Sequence, residues 1–331
     1  MSDVTLQINL SPGDVAYAHL TVPALLAAHT TVAERLLVVD CCRPQKTKIV
    51  APEVRFPAAS FRERVATVRS LAQQCLLEKR VDRIEFLEPG STHFSHLARR
   101  YCRPWMRETH DYGGCAFMAY WASFEFTRTR FLLHYDADMV LHQANDYDWS
   151  AAARKYLDDS PTLIAASPRT SPPGFDIGGT PDAPSRHEGR PFAAVPGGWA
   201  NDWFSTRCFL FDRVKLEKTL PLVQGKEAWI AAIKRIAGRA YPPAPEIVLF
   251  RHLAPRGFRR LNLGSRDAWL LHPTQKPAEY LRLLPSILAE VTAGRAPDNQ
   301  RGNSEVDVPA WTKHLEDTGF QRRHLETEDG D

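Results

Sequence analysis

Two aspartates stand one residue apart, Asp136 and Asp138, at the end of the apolar run Phe131, Leu132, Leu133 in RFLLHYDADMVLH. In an extended chain residues i and i+2 point to the same side, so both carboxylates aim together. Placed side by side they repel, and each needs a cation, a hydrogen-bond network or water. A divalent metal meets that need and leaves coordination positions open for phosphate oxygens. A solvated acidic turn after a strand is the other reading, since Asp is common in turns. Asp-x-Asp recurs at Asp146/Asp148 and at Asp329/Asp331. Asp148 precedes an Ala-rich helical stretch and is placed as its cap; the last pair belongs to a polar terminus. Only the first pair follows a strand, and that context selects it.

The elements that must position the pair alternate in type. Val4 to Leu10 reads as a strand, broken by Ser11, Pro12, Gly13 and Asp14. A helical stretch follows to about His29, with Pro23 forcing a kink or a late start. RLLVVD, Arg35 to Asp40, is the short continuous apolar run of a strand buried on both faces. From Ser60 to about Lys79, Phe61, Val65, Val68, Leu71, Ala72, Cys75 and Leu76 recur at helical spacing. Arg83 to Leu87 is a third strand, and Gly113 and Gly114 open an aromatic-rich helix that feeds the strand carrying Asp136. This order predicts an α/β fold, a doubly wound sheet with flanking helices. Such sheets bind ligands beyond the carboxyl ends of their strands, where Ser11 to Asp14, Asp40 and Asp136/Asp138 stand.

Composition narrows the class. The 331 residues are 24% charged and 44% apolar with a formal charge of +3, which fits an ordinary globular protein and gives no electrostatic footprint for nucleic acid. Two arginine groups, Arg99, Arg100, Arg103 and Arg107, and Arg251, Arg256, Arg259 and Arg260, are either solvated faces or an attraction for an anionic substrate. No apolar run reaches the length of a membrane span, and MSDVTLQINL lacks the basic and apolar regions of a signal peptide. The six cysteines, Cys41, Cys42, Cys75, Cys102, Cys115 and Cys208, include no C-x-x-C pair. They predict reduced thiols in a cytoplasmic chain and no zinc site.

The turn after the first strand, NLSPGDV, has one glycine and no G-x-G-x-x-G, and no P-loop pattern occurs. A nucleotide site without a phosphate-cradling glycine loop needs another way to hold phosphate, and a metal on Asp136 and Asp138 would supply it. With RLLVVD ending at Asp40 and FLLHYDADMVL at mid-chain, the sequence resembles the family 2 glycosyltransferases and their relatives of the GT-A fold. ANDWFSTRCFLFDRVKLEKT and PEIVLFRHLAPRGFRRLNL are similar to that family's later segments, through Glu246, Leu249, Arg251 or His252, Gly257 and Phe258. The resemblance covers residues 4 to 275 or so. It departs from the family in lacking a Pro-Thr-Tyr end to the first strand, in Cys-Cys after Asp40, and in a lone Glu246 where an acid pair is usual.

The resemblance implies a GT-A mixed sheet. Residues 1–142 would form the nucleotide-sugar half and 143–294 the acceptor and catalytic half, while 295–331 reads from its own composition as a polar tail, docked through Trp311, Leu315 and Phe320 or disordered. The resemblance implies a nucleoside-diphosphate sugar donor, UDP-sugar favoured, and transfer to a saccharide, small-molecule or peptide hydroxyl with Mn2+ or Mg2+. Asp40 and Ser11 would meet the nucleotide, Asp136 and Asp138 the metal and diphosphate, and His272 of WLLHP the metal or diphosphate. Glu246 would be the base of an inverting reaction, with Asp202, before a strand at Trp203, as its rival. Trp199 and Trp203 either stack on a sugar or pack in the core. The Pro-rich segment Ser167 to Asp202 is long for a connection and reads as a lid, an acceptor loop or an insertion. A nucleotidyltransferase shares the paired acids but adds a Gly- and Arg-rich loop that is missing here. A non-catalytic nucleotide-sugar or glycan binder would tolerate the lone Glu246, and a two-metal nuclease would require more carboxylates and a basic surface.

Overall fold

The computed structural model describes residues 3–174, 186–187, 190–238 and 242–319. In chain order the strands are β1 (Val4–Leu10), β2 (Glu34–Asp40), β3 (Arg83–Leu87), β4 (Phe131–Asp136), β5 (Val140–Gln143), β6 (Leu163–Ser167), β7 (Arg186–His187), β8 (Arg190–Pro191), β9 (Ala193–Val195), β10 (Gly198–Asn201), β11 (Cys208–Asp212), β12 (Arg259–Leu263) and β13 (Ala268–Leu271). The helices are α1 (Ala18–Ala27), α2 (Pro52–Arg55), α3 (Ala58–Leu77), α4 (His93–Tyr101), α5 (Met118–Phe126), α6 (Trp149–Asp159), α7 (Arg213–Glu217), α8 (Gly225–Ile236), α9 (Pro245–Leu253), α10 (Ala278–Thr292) and α11 (Val308–Asp317).

A mixed nine-stranded sheet runs β3-β2-β1-β4-β11-β6-β12-β10-β9. The first four strands are parallel; β11 lies antiparallel to both β4 and β6. Alternation along β1 sorts its two faces. Leu6, Ile8 and Leu10 pack with Val22 and Leu25 of α1, Val68 and Ala72 of α3 and Trp149 of α6. On the opposite face, Leu36, Val38 and Leu132 pack with Leu97 of α4, Trp121 and Phe124 of α5 and Val248 of α9. Helices therefore cover both faces of the sheet, the doubly wound arrangement expected from the alternation of elements.

Several local expectations change. Two helices, α4 and α5, separate β3 from β4, and α5 begins at Met118, after the chain turns at Gly114 with φ of 79°. Leu76 is 41% exposed, since it lies roughly 100° around α3 from the buried Cys75. Trp203 is in a loop, and the next strand begins at Cys208. Arg260, grouped with solvated arginines by sequence, is 1% exposed because β12 is an inner strand of the sheet. Asp148 caps α6 as expected, accepting from the Ser150 and Ala151 amides.

A second, two-stranded ladder joins β5 to β13, and Val140, Trp269 and Leu271 carry a third core with Tyr280, Leu284 and Ile287 of α10. Trp311 and Leu315 of α11 are fully buried in it, so the C-terminal segment packs at least to α11. Phe320 and Asp329/Asp331 lie outside the described residues, as does much of the Pro-rich segment after Gly174. All six cysteines are free, and only Cys115 is exposed.

Candidate functional site

The strand order reverses at β1: β2 and β3 add on one side and β4 on the other, which opens a crevice at the strands' carboxyl ends. Asn9, Ser11, Asp14, Asp40, Tyr120, Asp136 and Asp138 line a cleft of about 160 Å³ there. Register explains the convergence. Asn9 lies opposite Asp136, and Asp40 follows Val39, the partner of Leu10. Of the residues expected from the sequence, Ser11, Asp40, Asp136 and Asp138 come together in this cleft.

Asp136 ends β4 with both carboxylate oxygens 2.9 Å from the Tyr120 hydroxyl, which donates to it. His134 Nε2 stands 3.3 Å from Asp136 Oδ1, and its Nδ1 contacts Gln7 Oε1 at 2.5 Å. Burial pulls His134 down to about 3, so it is neutral behind the carboxylate. Burial, and then the charge of Asp138, push Asp136 well above the usual carboxylate range.

Asp138 behaves oppositely. Burial alone would raise it, but the hydrogen bond and charge of His272 and the charge of Lys276 hold it below the usual range. Lys276 Nζ donates to Asp138 Oδ2 at 2.8 Å, and His272 Nε2 lies 3.5 Å from the same oxygen. The approach of His272 follows from the second ladder. Leu271 pairs with Val140, so the residue after β13 falls beside the turn that carries Asp138. The far ring nitrogen of His272 faces Glu305 Oε1 at 3.4 Å, and Glu305 also takes the Thr274 amide at 3.1 Å and Arg207 at 3.2 Å. A carboxylate behind an imidazole fixes its orientation, and this pattern is common behind metal-bound histidines.

Asp138 Oδ1 is buried with no hydrogen-bond partner, and so is Asn9 Nδ2. An unsatisfied buried carboxylate oxygen is costly, and it fits a cation that the chain itself does not supply. Among the described residues no three His, Cys, Asp or Glu side chains are arranged to hold a metal together. The donor chemistry therefore suits a hard cation that keeps few protein ligands and takes its other positions from phosphate and water, the habit of Mg2+ and its relatives.

At the other end of the cleft Asp40 is 3% exposed. Its Oδ1 accepts from the Cys42 amide at 2.8 Å, and His110 Nε2 stands 3.8 Å from its Oδ2. Burial raises Asp40 and lowers His110, so both favour the neutral form more than free side chains do. Ser11 has its donors occupied: its amide and hydroxyl both bond Asp14 Oδ2, at 2.7 and 2.8 Å. Tyr17 donates to the other oxygen of Asp14. Burial is the main cause that pushes Asp14 up to about 6.

Glu246 sits in the first turn of α9 and accepts from Thr206 Oγ1 at 2.8 Å. Burial raises it, with Asp136 and Asp111 adding repulsion, which puts it within electrostatic reach of the cleft. The remaining expected residues are elsewhere. Asp202 pairs with Arg190 at 3.2 Å beside Asn201 and Phe258 in a separate pocket. The Trp199 ring lies under Arg169 at 5.5 Å, and Trp203 packs on Phe250. Sequence reasoning placed Asp14 at the strand end without giving it a role, and missed Asn9, Tyr120 and Lys276. The last carried a usable signal, a lysine four residues past His272 in HPTQK; Tyr120 had none, because its role depends on how α5 lies over β4.

No protein-family model matches the chain, and no curated protein matches it. Among solved structures it is similar to the galactosyltransferase LgtC in complex with donor and acceptor sugar analogs, at 10% identity over 90% of this chain and 99% of that one, with a TM-score of 0.32. It is similar also to an active-site mutant of LgtC, at 11% identity over 90% of this chain and 99% of that one, with a TM-score of 0.31. Superposition that loose carries no weight for function, which has to be argued from the cleft itself.

Proposed function

We propose that the chain is a GT-A-type glycosyltransferase that moves a sugar from a nucleoside-diphosphate sugar, UDP-sugar favoured, to an acceptor hydroxyl. The observation that carries the reading is Asp138: a buried carboxylate with one unpaired oxygen, faced by His272 and Lys276, in a crevice whose other end holds Asp40. Asp40 and the unpaired Asn9 Nδ2 are suited to the nucleoside. Lys276 brings a positive charge to the place a diphosphate would reach. Asp138 and Asp136 would hold Mn2+ or Mg2+, with His272 steadying Asp138 from behind and phosphate and water taking the other positions, and when bound the metal supplies positive charge that stabilises the leaving diphosphate.

In the transfer, the bond between the anomeric carbon and the diphosphate oxygen breaks, and a bond forms from that carbon to the acceptor oxygen. The acceptor proton needs a base, and Glu246 is the candidate: it is a buried carboxylate with one oxygen held by Thr206, and its raised affinity for protons suits it to accept one. That role makes the reaction inverting. Asp202, its rival from the sequence, is engaged with Arg190 outside the cleft. We infer the same division as before, donor binding on 1–142 and acceptor binding on 143–294. The segment from 295 onward then contributes Glu305 behind His272. Among the described residues no helix is long and apolar enough to cross a membrane.

The test is donor hydrolysis and transfer, assayed with a panel of nucleoside-diphosphate sugars and Mn2+. Turnover of one donor, lost in Glu246→Gln while nucleoside diphosphate still binds, supports the assignment. Binding without turnover of any donor makes the chain a nucleotide-sugar binder, and no binding removes the reading.

A further inference from the structure

One helix of the protein is apolar on two sides and buried on neither. No residue of α8 is buried. Trp229, Ile233 and Ile236 are 73%, 62% and 89% exposed, at the i, i+4, i+7 spacing of one helical face. Ile230 on the flank and Ala231 on the opposite side roof a cavity of about 500 Å³. Its walls are Trp105, Met106, Leu222, Pro243 and Val248, and its size is in the range of small-molecule sites, roughly 300–1,000 Å³.

The charge around these two apolar surfaces is mostly of one sign. Lys48, Lys234 and Arg251 border the cavity, and Arg251 alone of these is engaged, with Glu227 at 2.9 Å. Lys226 lies beside the outer stripe and Lys234 on the cavity side of the helix, and Lys48, Lys226 and Lys234 have no carboxylate partner among the described residues. An exposed Trp and two Ile on a short helix that also carries unpaired lysines is the composition of a helix that lies in a membrane interface. A second copy of this chain fits less well, because a two-fold contact across the stripe would bring lysines of both copies together.

Two segments run from the cavity toward the cleft. Tyr112 lines it, while His110, two residues earlier in the same loop, faces Asp40. Val248 and Arg251 of α9 line it, and Glu246 stands in the first turn of the same helix. We propose that α8 docks the protein on an anionic lipid surface and that the cavity beneath it takes an apolar chain of a lipid. On the glycosyl-transfer reading, on which this further step alone rests, the lipid is the acceptor's carrier, held with its head toward Glu246.

Flotation with vesicles tests the docking on the full chain and needs no nucleotide. Phosphatidylglycerol–phosphatidylcholine vesicles should carry the protein and phosphatidylcholine alone should not, with binding falling as salt rises. Lys226→Ala and Lys234→Ala should each weaken binding about fivefold, the effect of one basic residue near an anionic surface. Trp229→Glu with Ile233→Glu should abolish it. All four positions are exposed or half-exposed at the surface, so an unchanged melting temperature separates lost docking from lost folding. Ala231→Trp, which fills the cavity and leaves the outer stripe intact, should weaken binding less than the double variant does. Absence of flotation on anionic vesicles, or equal flotation of the double variant, overturns the proposal. A concentration-dependent dimer that Trp229→Glu dissolves also overturns it and gives the stripe to a second copy. Because nucleotide binding is read without vesicles and docking without nucleotide, either can fail alone.

Discussion

Asp138→Asn is the sharpest perturbation of the cleft, because it keeps the side chain's shape and removes only its charge. The carboxylate faces Lys276 at 2.8 Å and leaves Oδ1 without a partner. In the variant the amide offers one oxygen instead of two and turns an N–H toward either the lysine or the metal position. A nucleoside diphosphate present with Mn2+ at one hundred times its dissociation constant stabilises the native state by about 2.7 kcal/mol. With unfolding entropy near 2.1 cal/mol/K per residue, 331 residues give about 0.7 kcal/mol/K, so the melting point should rise by about 4 °C. Loss of a partner merely behind a metal ligand weakens binding 10- to 100-fold, and losing the ligand itself should reach at least ~100-fold. At the same ligand concentration that leaves about 0.4 kcal/mol, a rise of about 0.6 °C. Scanning fluorimetry with and without EDTA resolves the difference, and near-ultraviolet circular dichroism checks that the variant is folded. A 4 °C rise retained by Asp138→Asn, or one in wild type that EDTA leaves unchanged, would refute the assignment of the metal and diphosphate to this carboxylate.

Further outcomes follow from the same geometry. Glu305→Gln should cut the nucleotide-induced rise to between about 0.6 and 2 °C, since it loosens His272 without touching the ligand; an unchanged rise would make Glu305 a structural contact only. Because burial raises Glu246, kcat/KM should fall on the acid side at a higher pH than a solvent-exposed glutamate would give, and the little activity left in Glu246→Gln should lack that limb. His29, buried against the Tyr135 hydroxyl at 2.8 Å, is pulled down to about 4. The unfolded chain then binds the extra proton between about pH 4 and 6.5, so acidification through that window should cost about 3 kcal/mol from this group, read by urea unfolding and reduced in His29→Gln. Trp311→Ala should destabilise by about 3–5 kcal/mol, for the indole is fully buried and donates to Gln300 at 3.0 Å. A loss under 1 kcal/mol would mean that α11 is not part of the core.

The sheet was legible because its signals are local. RLLVVD and FLLHYD are continuous apolar runs that end in acids, and a parallel strand buried on both faces needs nothing else to be recognised. The acids at the strand ends were found by the same logic, since a crevice at a strand-order switch is a topological consequence. What failed was whatever depended on distant pairing. Lys276 reaches Asp138 across 138 residues because β13 lies against β5. Four-residue strands carry too little periodicity to be paired from sequence. Trp203 and Asp202 were read from a resemblance of segment order, and segment order does not fix which way a loop residue faces. The α8 stripe was invisible for a different reason. Its Trp and Ile pattern reads as an ordinary buried face, and only the structure leaves that face exposed.

The first turn shows how the cleft can manage phosphate without a glycine loop. In a phosphate cradle the backbone N–H groups after the first strand point at the ligand. Here the Ser11 amide and hydroxyl both close on Asp14, and Tyr17 occupies the other oxygen of that carboxylate. The turn is satisfied within itself and presents an acid toward the cleft. An anion entering beside β1 would meet the carboxylates of Asp14, Asp136 and Asp138. Among the described residues Lys276, on the segment after β13, brings a positive charge to Asp138. Placing that cation after β13 makes anion binding depend on the third core that holds the second ladder. Trp269, Leu271 and Trp311 then matter to the cleft although none lines it. A variant such as Trp311→Ala should accordingly lose diphosphate binding at temperatures where the main sheet is still folded. If binding and global unfolding instead fail together at one temperature, the third core is not a separable support of the site.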